Sequence, residues 1–282
     1  MITCWHLASV SELKFAGSHP NQFQLYKFVH QNEDGLIPGL FLHLANRAKL
    51  PTGKQWKTDA ISVAVQNVLA FYFQTNYPDS CVVVFDCFRS EALFNNGNLQ
   101  SFGHYKNLIG FTGTIICGNI NNKNDLSLLS EYKFDYIFHQ AAISDTRVYD
   151  QEIIMKTNVN SFYDLLTLAK KDDAVMVYAS SAATYGSLAS PQTVGKENPE
   201  NPYGYSKYIM DQIAIRYSKE NPDLTIVGLR FFNVYGPREY FKANTSSMVI
   251  QLGHQILDGK IPRLFKGSDQ FFRDFIYIDD VL

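Results

Sequence analysis

The chain has 282 residues, 46% of them hydrophobic and 18% charged, with a net charge of −2. That is apolar matter enough for one large domain or two small ones, and it excludes a disordered chain, in which low hydrophobicity goes with high net charge. The charge balance also argues against a polybasic nucleic-acid binder, and no apolar run approaches the roughly 18 residues of a membrane helix. The sequence therefore predicts no nucleic-acid partner and no membrane partner. The first 20 residues lack a basic start followed by an apolar stretch, so no signal peptide is read. Cys4, Cys81, Cys87 and Cys117 stand apart without a CxxC pair. They read as free thiols of a reducing, cytoplasmic compartment, and no metal-ligand set is expected.

Residues 1–60 carry no sustained period and are interrupted by Pro20, Pro38 and Pro51. They are expected to be a poorly ordered N-terminal extension. Without a periodic apolar face they bury too little to offset about 1–2 kcal/mol of backbone entropy per residue. The texture changes at Ile61. Residues 61–65 read as a strand and 68–74 as a helix. Cys81–Asp86 is a β-branched run ending in an acid, the pattern of a strand buried on both faces. Thr114–Cys117 and 135–138 are further strands, and 151–170 is a long helix. A strand over 174–179, a helix over 203–219 and a strand over 224–229 follow. Strands alternating with helices predict a parallel α/β sheet with right-handed crossovers.

The first chemical signal is Tyr203-Gly-Tyr-Ser-Lys207. Tyr203 and Lys207 stand four apart in a predicted helix and so share a face. A free tyrosine, with a pKa near 10, is a poor base at neutral pH; a neighbouring ammonium favours the phenolate. The pair thus suits proton transfer with a sugar hydroxyl or carbonyl. Upstream, Val177-Tyr-Ala-Ser-Ser-Ala-Ala-Thr-Tyr-Gly186 is a strand running into a Ser/Thr-rich loop. At the carboxyl end of a parallel strand such a loop faces the ligand crevice, where Ser181 could bond the same oxygen as Tyr203.

These two motifs, followed by Arg230-Phe-Phe-Asn-Val-Tyr-Gly-Pro-Arg238, resemble the extended short-chain dehydrogenase/reductase family, and within it the ADP-heptose 6-epimerase branch. Pro237-Arg-Glu-Tyr-Phe-Lys242 with Ser246-Ser-Met248, Phe138-His-Gln-Ala-Ala-Ile-Ser144 and Gly267-Ser-Asp-Gln-Phe-Phe-Arg-Asp-Phe-Ile-Tyr277 carry the narrower likeness, which covers about three quarters of the chain. The resemblance implies a Rossmann-like doubly wound parallel sheet over 61–235 and a partial small substrate-binding lobe over 236–282. It implies an NADP- or NAD-dependent isomerase that removes and returns hydride at C6 of ADP-heptose, a step towards lipopolysaccharide core precursors. It leaves a homo-oligomer open. Ser181, Tyr203, Lys207 and Lys242 become the catalytic set, with Tyr203 and Lys242 serving opposite orientations of the sugar. Lys207 tunes Tyr203 and binds the nicotinamide ribose. Asp86, Arg89, Gln140, Ala141, Ala142, Ser144, Asn158 and Val234 become cofactor residues; Asp86 suits a ribose hydroxyl and Arg89 a 2′-phosphate. Asn233, Phe265, Ser268 and Arg273 join Ser181 as substrate residues, Arg273 offering a fork to the diphosphate.

The sequence departs from the family at both ends. Its Gly-x-x-Gly-x-x-Gly turn is missing: residues 61–67 read Ile-Ser-Val-Ala-Val-Gln-Asn, and no glycine occurs between Gly53 and Gly97. Bulkier side chains there are expected to crowd the pyrophosphate and weaken cofactor binding. The chain reads as cut short at Leu282 with its N-terminus replaced. The apolar side chains of Phe265, Phe271, Phe272 and Phe275 are then expected to be partly uncovered. Another nucleotide-sugar epimerase or dehydratase, and an inactive fragment or pseudoenzyme, stay open as alternative readings. His139 reads as a core or loop histidine.

Overall fold

A computed structural model describes residues 2–6, 57–61, 65–268 and 273–282 of the chain. Among the described residues seven parallel strands form the main sheet: β1 (Ile2–His6), β2 (Lys57–Ile61), β3 (Cys81–Asp86), β4 (Thr114–Cys117), β5 (Tyr136–His139), β6 (Val175–Ser181) and β7 (Ile226–Phe231), in the order β1-β7-β6-β5-β2-β3-β4. The helices are α1 (Val65–Asn76), α2 (Lys123–Ser127), α3 (Gln151–Ile154), α4 (Ser161–Asp172), α5 (Pro202–Glu220) and α6 (Met248–Leu257). A separate two-stranded parallel ribbon pairs β8 (Asn233–Tyr235) with β9 (Phe275–Tyr277).

The β3 run shows why this sheet needs helices on both faces. Val83 and Phe85 are fully buried in the core cluster that also holds Phe162, Leu165 and Leu166 of α4 and Met210 and Ile213 of α5. Their neighbours Val82 and Val84 point the other way, onto Ala70 of α1 and Leu108. A strand buried on alternate sides has no polar positions to spare, hence its unbroken apolar sequence. Helix α4 buries Phe162, Leu165, Leu166 and Ala169, one stripe at helical spacing, and ends on Asp173 in the left-handed region with Lys170 and Lys171 in its last turn. Cations there complement the helix dipole. Asn201 caps α5, its side chain accepting from the Gly204 amide at 2.8 Å, with Pro202 as the first helical residue.

Three local expectations are corrected. The strand expected at 61–65 lies at Lys57–Ile61, because α1 already starts at Val65 and the connecting turn must come between. Its register is set by both neighbours, Ala60 opposite Val84 of β3 and Phe138 of β5. Secondly, the stretch 1–60, read as lacking regular structure, contributes two strands: β2, and β1 paired with β7 from Ile2↔Ile226 to His6↔Arg230. The rest of that stretch lies outside the described residues. Thirdly, the long helix over 151–170 is interrupted by a π-helical turn at Met155–Asn160, a feature common at functional sites.

Phe265 is 72% and Phe275 39% exposed, while Phe271 and Phe272 lie outside the described residues. No helix among the described residues is long and apolar enough to cross a membrane.

Candidate active site

The carboxyl ends of β3, β5 and β6 bring the predicted residues to one edge of the sheet. Ser181 ends β6 in extended conformation and opens a 3-10 turn, its hydroxyl accepting from the Ala183 amide at 3.1 Å. The same hydroxyl is hydrogen-bonded to the Tyr203 side chain. Helix α5 approaches this turn closely at Gly204, where a Cβ would meet the Ala183 carbonyl at 2.5 Å. The glycine between Tyr203 and Tyr205 thus lets the helix carry Tyr203 up to Ser181. One turn further on, Lys207 is 1% exposed, donates to the Ala179 carbonyl at 2.7 Å and lies 5.9 Å from the centre of the Tyr203 ring.

Protonation in this cluster departs from the sequence reading. Tyr203 was expected to have its pKa lowered by Lys207; it is raised instead, because burial disfavours the phenolate more than the Ser181 hydrogen bond favours it. Burial also lowers Lys207 to about 8, with the Asp211 carboxylate opposing that shift. At neutral pH the pair is a phenol beside an ammonium.

The cofactor candidates follow the carboxyl ends of β3 and β5 on the same edge of the sheet. Asp86 is 7% exposed at the end of β3; burial raises its carboxyl to about 6, and it accepts from the Phe88 amide at 2.6 Å. A Cβ on Gly103 would lie 2.3 Å from its Oδ1, so the loop comes in flush against it. Gln140 is buried after β5, Ala141 and Ala142 are partly buried, and Ser144 is exposed. Asn158, on the π-helical turn, is fully buried. Its Oδ1 accepts from the Ile143 amide at 2.8 Å, and its amide group donates to the Ile143 carbonyl and the Ser206 hydroxyl. It therefore shapes the 140–144 loop and ties it to α5.

Lys242 arrives on a different element, a 3-10 turn after β8. Burial lowers its pKa, with Glu239 opposing. Glu239, 3% exposed, organises that turn by accepting from the Gly236 and Ser247 amides and the Ser247 hydroxyl. The turn is clamped to the loop after β3. Arg89 donates to the Phe241 carbonyl, His104 stacks on Phe241 with ring centres 3.7 Å apart, and Asn107 donates to the Arg238 carbonyl. The Arg238 guanidinium lies 4.0 Å over the Phe71 ring of α1. Sequence reasoning missed His104 and Asn107, which only a lone histidine and asparagine mark in the chain; Glu239 stood within the Pro237–Lys242 stretch but was given no role.

The remaining candidates lie apart. Asn233 donates its side-chain amide to the Asp274 carbonyl at 2.8 Å and Val234 pairs with Ile276, so both serve the β8–β9 ribbon. Phe265 and Arg273 are exposed and Ser268 is partly so, all in the segment between α6 and β9. The glycine-poor turn over Ser62, Val63 and Ala64 lies outside the described residues. Among the described residues no group of three or more His, Cys, Asp or Glu could hold a metal ion.

His139 is 1% exposed, and neither ring nitrogen has a hydrogen-bond partner among the described residues. Burial, helped by the Lys207 charge, lowers its pKa to about 3. Folded, it stays neutral down to that pH, whereas unfolded it takes a proton near 6.5. Its contribution to stability is therefore intact above 6.5 and falls as pH drops towards 3. His139→Phe is expected to gain about 2 kcal/mol relative to the parent chain between pH 7.5 and 5, at about 1.4 kcal/mol per unit. Urea unfolding at the two pH values measures it, and a pH-independent difference would contradict a buried neutral imidazole.

The family model for the NAD dependent epimerase/dehydratase family matches residues 86–282. The ADP-L-glycero-D-manno-heptose-6-epimerase of Brachyspira hyodysenteriae is 37% identical over 190 residues, 66% of this chain and 60% of that protein. The chain thus spans less than two thirds of that relative. The crystal structure of the Helicobacter pylori ADP-L-glycero-D-manno-heptose-6-epimerase superposes with a TM-score of 0.73 at 46% identity, covering 80% of this chain and 71% of the other. The Thermus thermophilus UDP-glucose 4-epimerase complex with NAD shares the fold, with a TM-score of 0.65 at 20% identity over 80% of this chain and 71% of the other.

Proposed function

Since the chain belongs to the NAD-dependent epimerase/dehydratase family, we propose that it is an ADP-L-glycero-D-manno-heptose 6-epimerase, a cytoplasmic isomerase using NADP or NAD. The observation that carries the reading is the Ser181–Tyr203 hydrogen bond at the end of β6, with the Lys207 ammonium one helical turn on. The two ADP-heptose epimerases at 37% and 46% identity support the substrate. The free thiols of Cys81, Cys87 and Cys117 agree with a reducing compartment.

The adenosine-ribose end of a dinucleotide fits the described residues. The buried Asp86 carboxylate at the end of β3 suits a ribose hydroxyl, and the flush approach at Gly103 leaves that carboxylate unobstructed by a side chain. Arg89 with neighbouring Lys106 suits a 2′-phosphate; their charges act together on His104, lowering its pKa after burial. Bound there, the nicotinamide would supply hydride removal from the sugar carbon and its return to the other face. The chain's own residues handle protons. Tyr203, held as a phenol, gives its proton to a ketone oxygen and receives one from the hydroxyl, with Ser181 fixing that oxygen and the Lys207 charge steadying the phenolate. Lys242, whose burial brings its pKa towards neutrality, serves the oxygen in the opposite orientation.

The test is epimerisation of ADP-D-glycero-D-manno-heptose in deuterium oxide with NADP or NAD added, followed by proton NMR. Inversion at C6 without deuterium at that carbon is expected, because the same hydride returns. Deuterium incorporation, loss of water, or turnover of UDP-glucose or a dTDP-sugar instead would overturn the reading.

A further inference from the structure

Glu197, Arg230 and Asp211 form a buried chain of charges that the proton-transfer chemistry does not use directly. Arg230 Nη2 lies 2.6 Å from Glu197 Oε1 and 2.8 Å from Asp211 Oδ2. Arg230 Nε donates to the same Asp211 oxygen at 2.9 Å. The three side chains are 6%, 1% and 0% exposed. Asp211 also accepts from the Tyr178 hydroxyl at 2.8 Å and the Ser180 hydroxyl at 3.0 Å. The guanidinium lies 4.8 Å over the Tyr185 ring. Glu197 accepts from the Gly195 amide at 3.0 Å. The members come from the loop before α5, from α5, from β6 and from β7, and two of these, β6 and α5, carry Ser181, Tyr203 and Lys207.

Burial raises the Asp211 carboxyl, while Arg230, Tyr178 and Ser180 favour its carboxylate form, and Glu197 is held below the ordinary carboxylate range; with both ionised, two carboxylates face one guanidinium and one negative charge is in excess. Such a charge is costly in an interior unless something nearby balances it. The balancing group is Lys207, one helical turn before Asp211 on α5, whose ammonium Asp211 favours. The other groups facing Lys207 supply no charge: the Tyr203 ring on its own helix is a phenol, the Ala179 carbonyl of β6 accepts its hydrogen bond, and His139 of β5 is neutral. The signs thus alternate from Glu197 through Arg230 and Asp211 to Lys207.

We propose that Glu197 and Asp211 are positioning residues that act through Lys207, their excess negative charge keeping it an ammonium beside Tyr203 in an interior that would otherwise discharge it. The inference rests on reading Tyr203 and Lys207 as the proton-transfer pair. Glu197 is the telling member, since it lies on a loop and, among the described residues, is linked to Lys207 through Arg230 and Asp211. With Glu197 neutral, Arg230 and Asp211 cancel each other and Lys207 is left alone.

The experiment is an NMR titration of 13Cε-labelled lysines in the whole chain, with the Lys207 signal assigned by its absence in Lys207→Arg. In the parent chain Lys207 is expected to titrate above pH 7. In Glu197→Gln the midpoint is expected to fall by at least one unit, a tenfold loss in the ratio of ammonium to amine. Glu197→Asp, which keeps the charge, is expected to stay near the parent value. A parent midpoint below 7, or an unchanged midpoint in Glu197→Gln accompanied only by a lower melting temperature, would reduce the chain of charges to a structural brace and overturn the proposal. Should Glu197→Gln fail to fold, Asp211→Asn is the second arm. It keeps the side-chain shape and removes the carboxylate that favours the Lys207 ammonium, so the midpoint is expected to fall by at least one unit, and an unchanged midpoint overturns the proposal. The titration needs neither dinucleotide nor sugar, so its failure is distinct from a failure of the epimerase reading, which C6 inversion reports.

Discussion

Tyr203→Phe is expected to lower the rate of C6 inversion by about 10²–10⁴-fold, the usual worth of a positioned general acid–base group. That corresponds to about 3–5 kcal/mol of barrier. Phenylalanine keeps the ring that packs near Lys207 and removes only the hydroxyl bonded to Ser181. The fold and the dinucleotide affinity should therefore survive. Initial rates by NMR, beside a calorimetric titration with NADP, separate the two effects. A rate within threefold of the parent would show that protons move by another route. A parallel loss of cofactor affinity would move Tyr203 from proton transfer to binding.

Arg230→Leu is expected to cost about 3–5 kcal/mol of folding stability, because it leaves two buried carboxylates, Glu197 and Asp211, without their cation. A domain stable by about 5–15 kcal/mol would be left close to its unfolding threshold. Urea unfolding of the variant measures it. The cause can be checked in the same experiment: Glu197→Gln added to Arg230→Leu removes one of the stranded charges and should recover part of the loss. A single-variant loss below about 1 kcal/mol, or no recovery in the double variant, would mean that the guanidinium contributes by packing on Tyr185 and not by charge.

The strands read correctly to the residue are Cys81–Asp86 and Thr114–Cys117. The first is buried on both faces, so its apolar run is continuous and bounded by polar residues. The strand Lys57–Ile61 has no such run; its place between β3 and β5 is a matter of backbone pairing, which leaves little trace in side-chain pattern. The π-helical turn at Met155–Asn160 was invisible for a related reason. Its apolar spacing is that of a helix, and the bonds Asn158 makes from that turn to the Ile143 backbone join residues 15 apart in the chain.

What the sequence alone determined were the local relations. Tyr203 and Lys207 on one helix face, the acid at the end of β3 and the alternation that makes the sheet parallel all follow from spacings of a few residues. The tertiary structure decided what depends on burial and on distant partners. It raised the Tyr203 pKa where the motif suggested a lowering, and it clamped the Lys242 turn to Arg89, His104 and Asn107. It also joined Glu197, Arg230 and Asp211 into one chain of charges. The physical reason is common to all three. Desolvation and charge pairing act over a few ångströms of space whatever the separation along the chain, and only folding fixes which groups come that close.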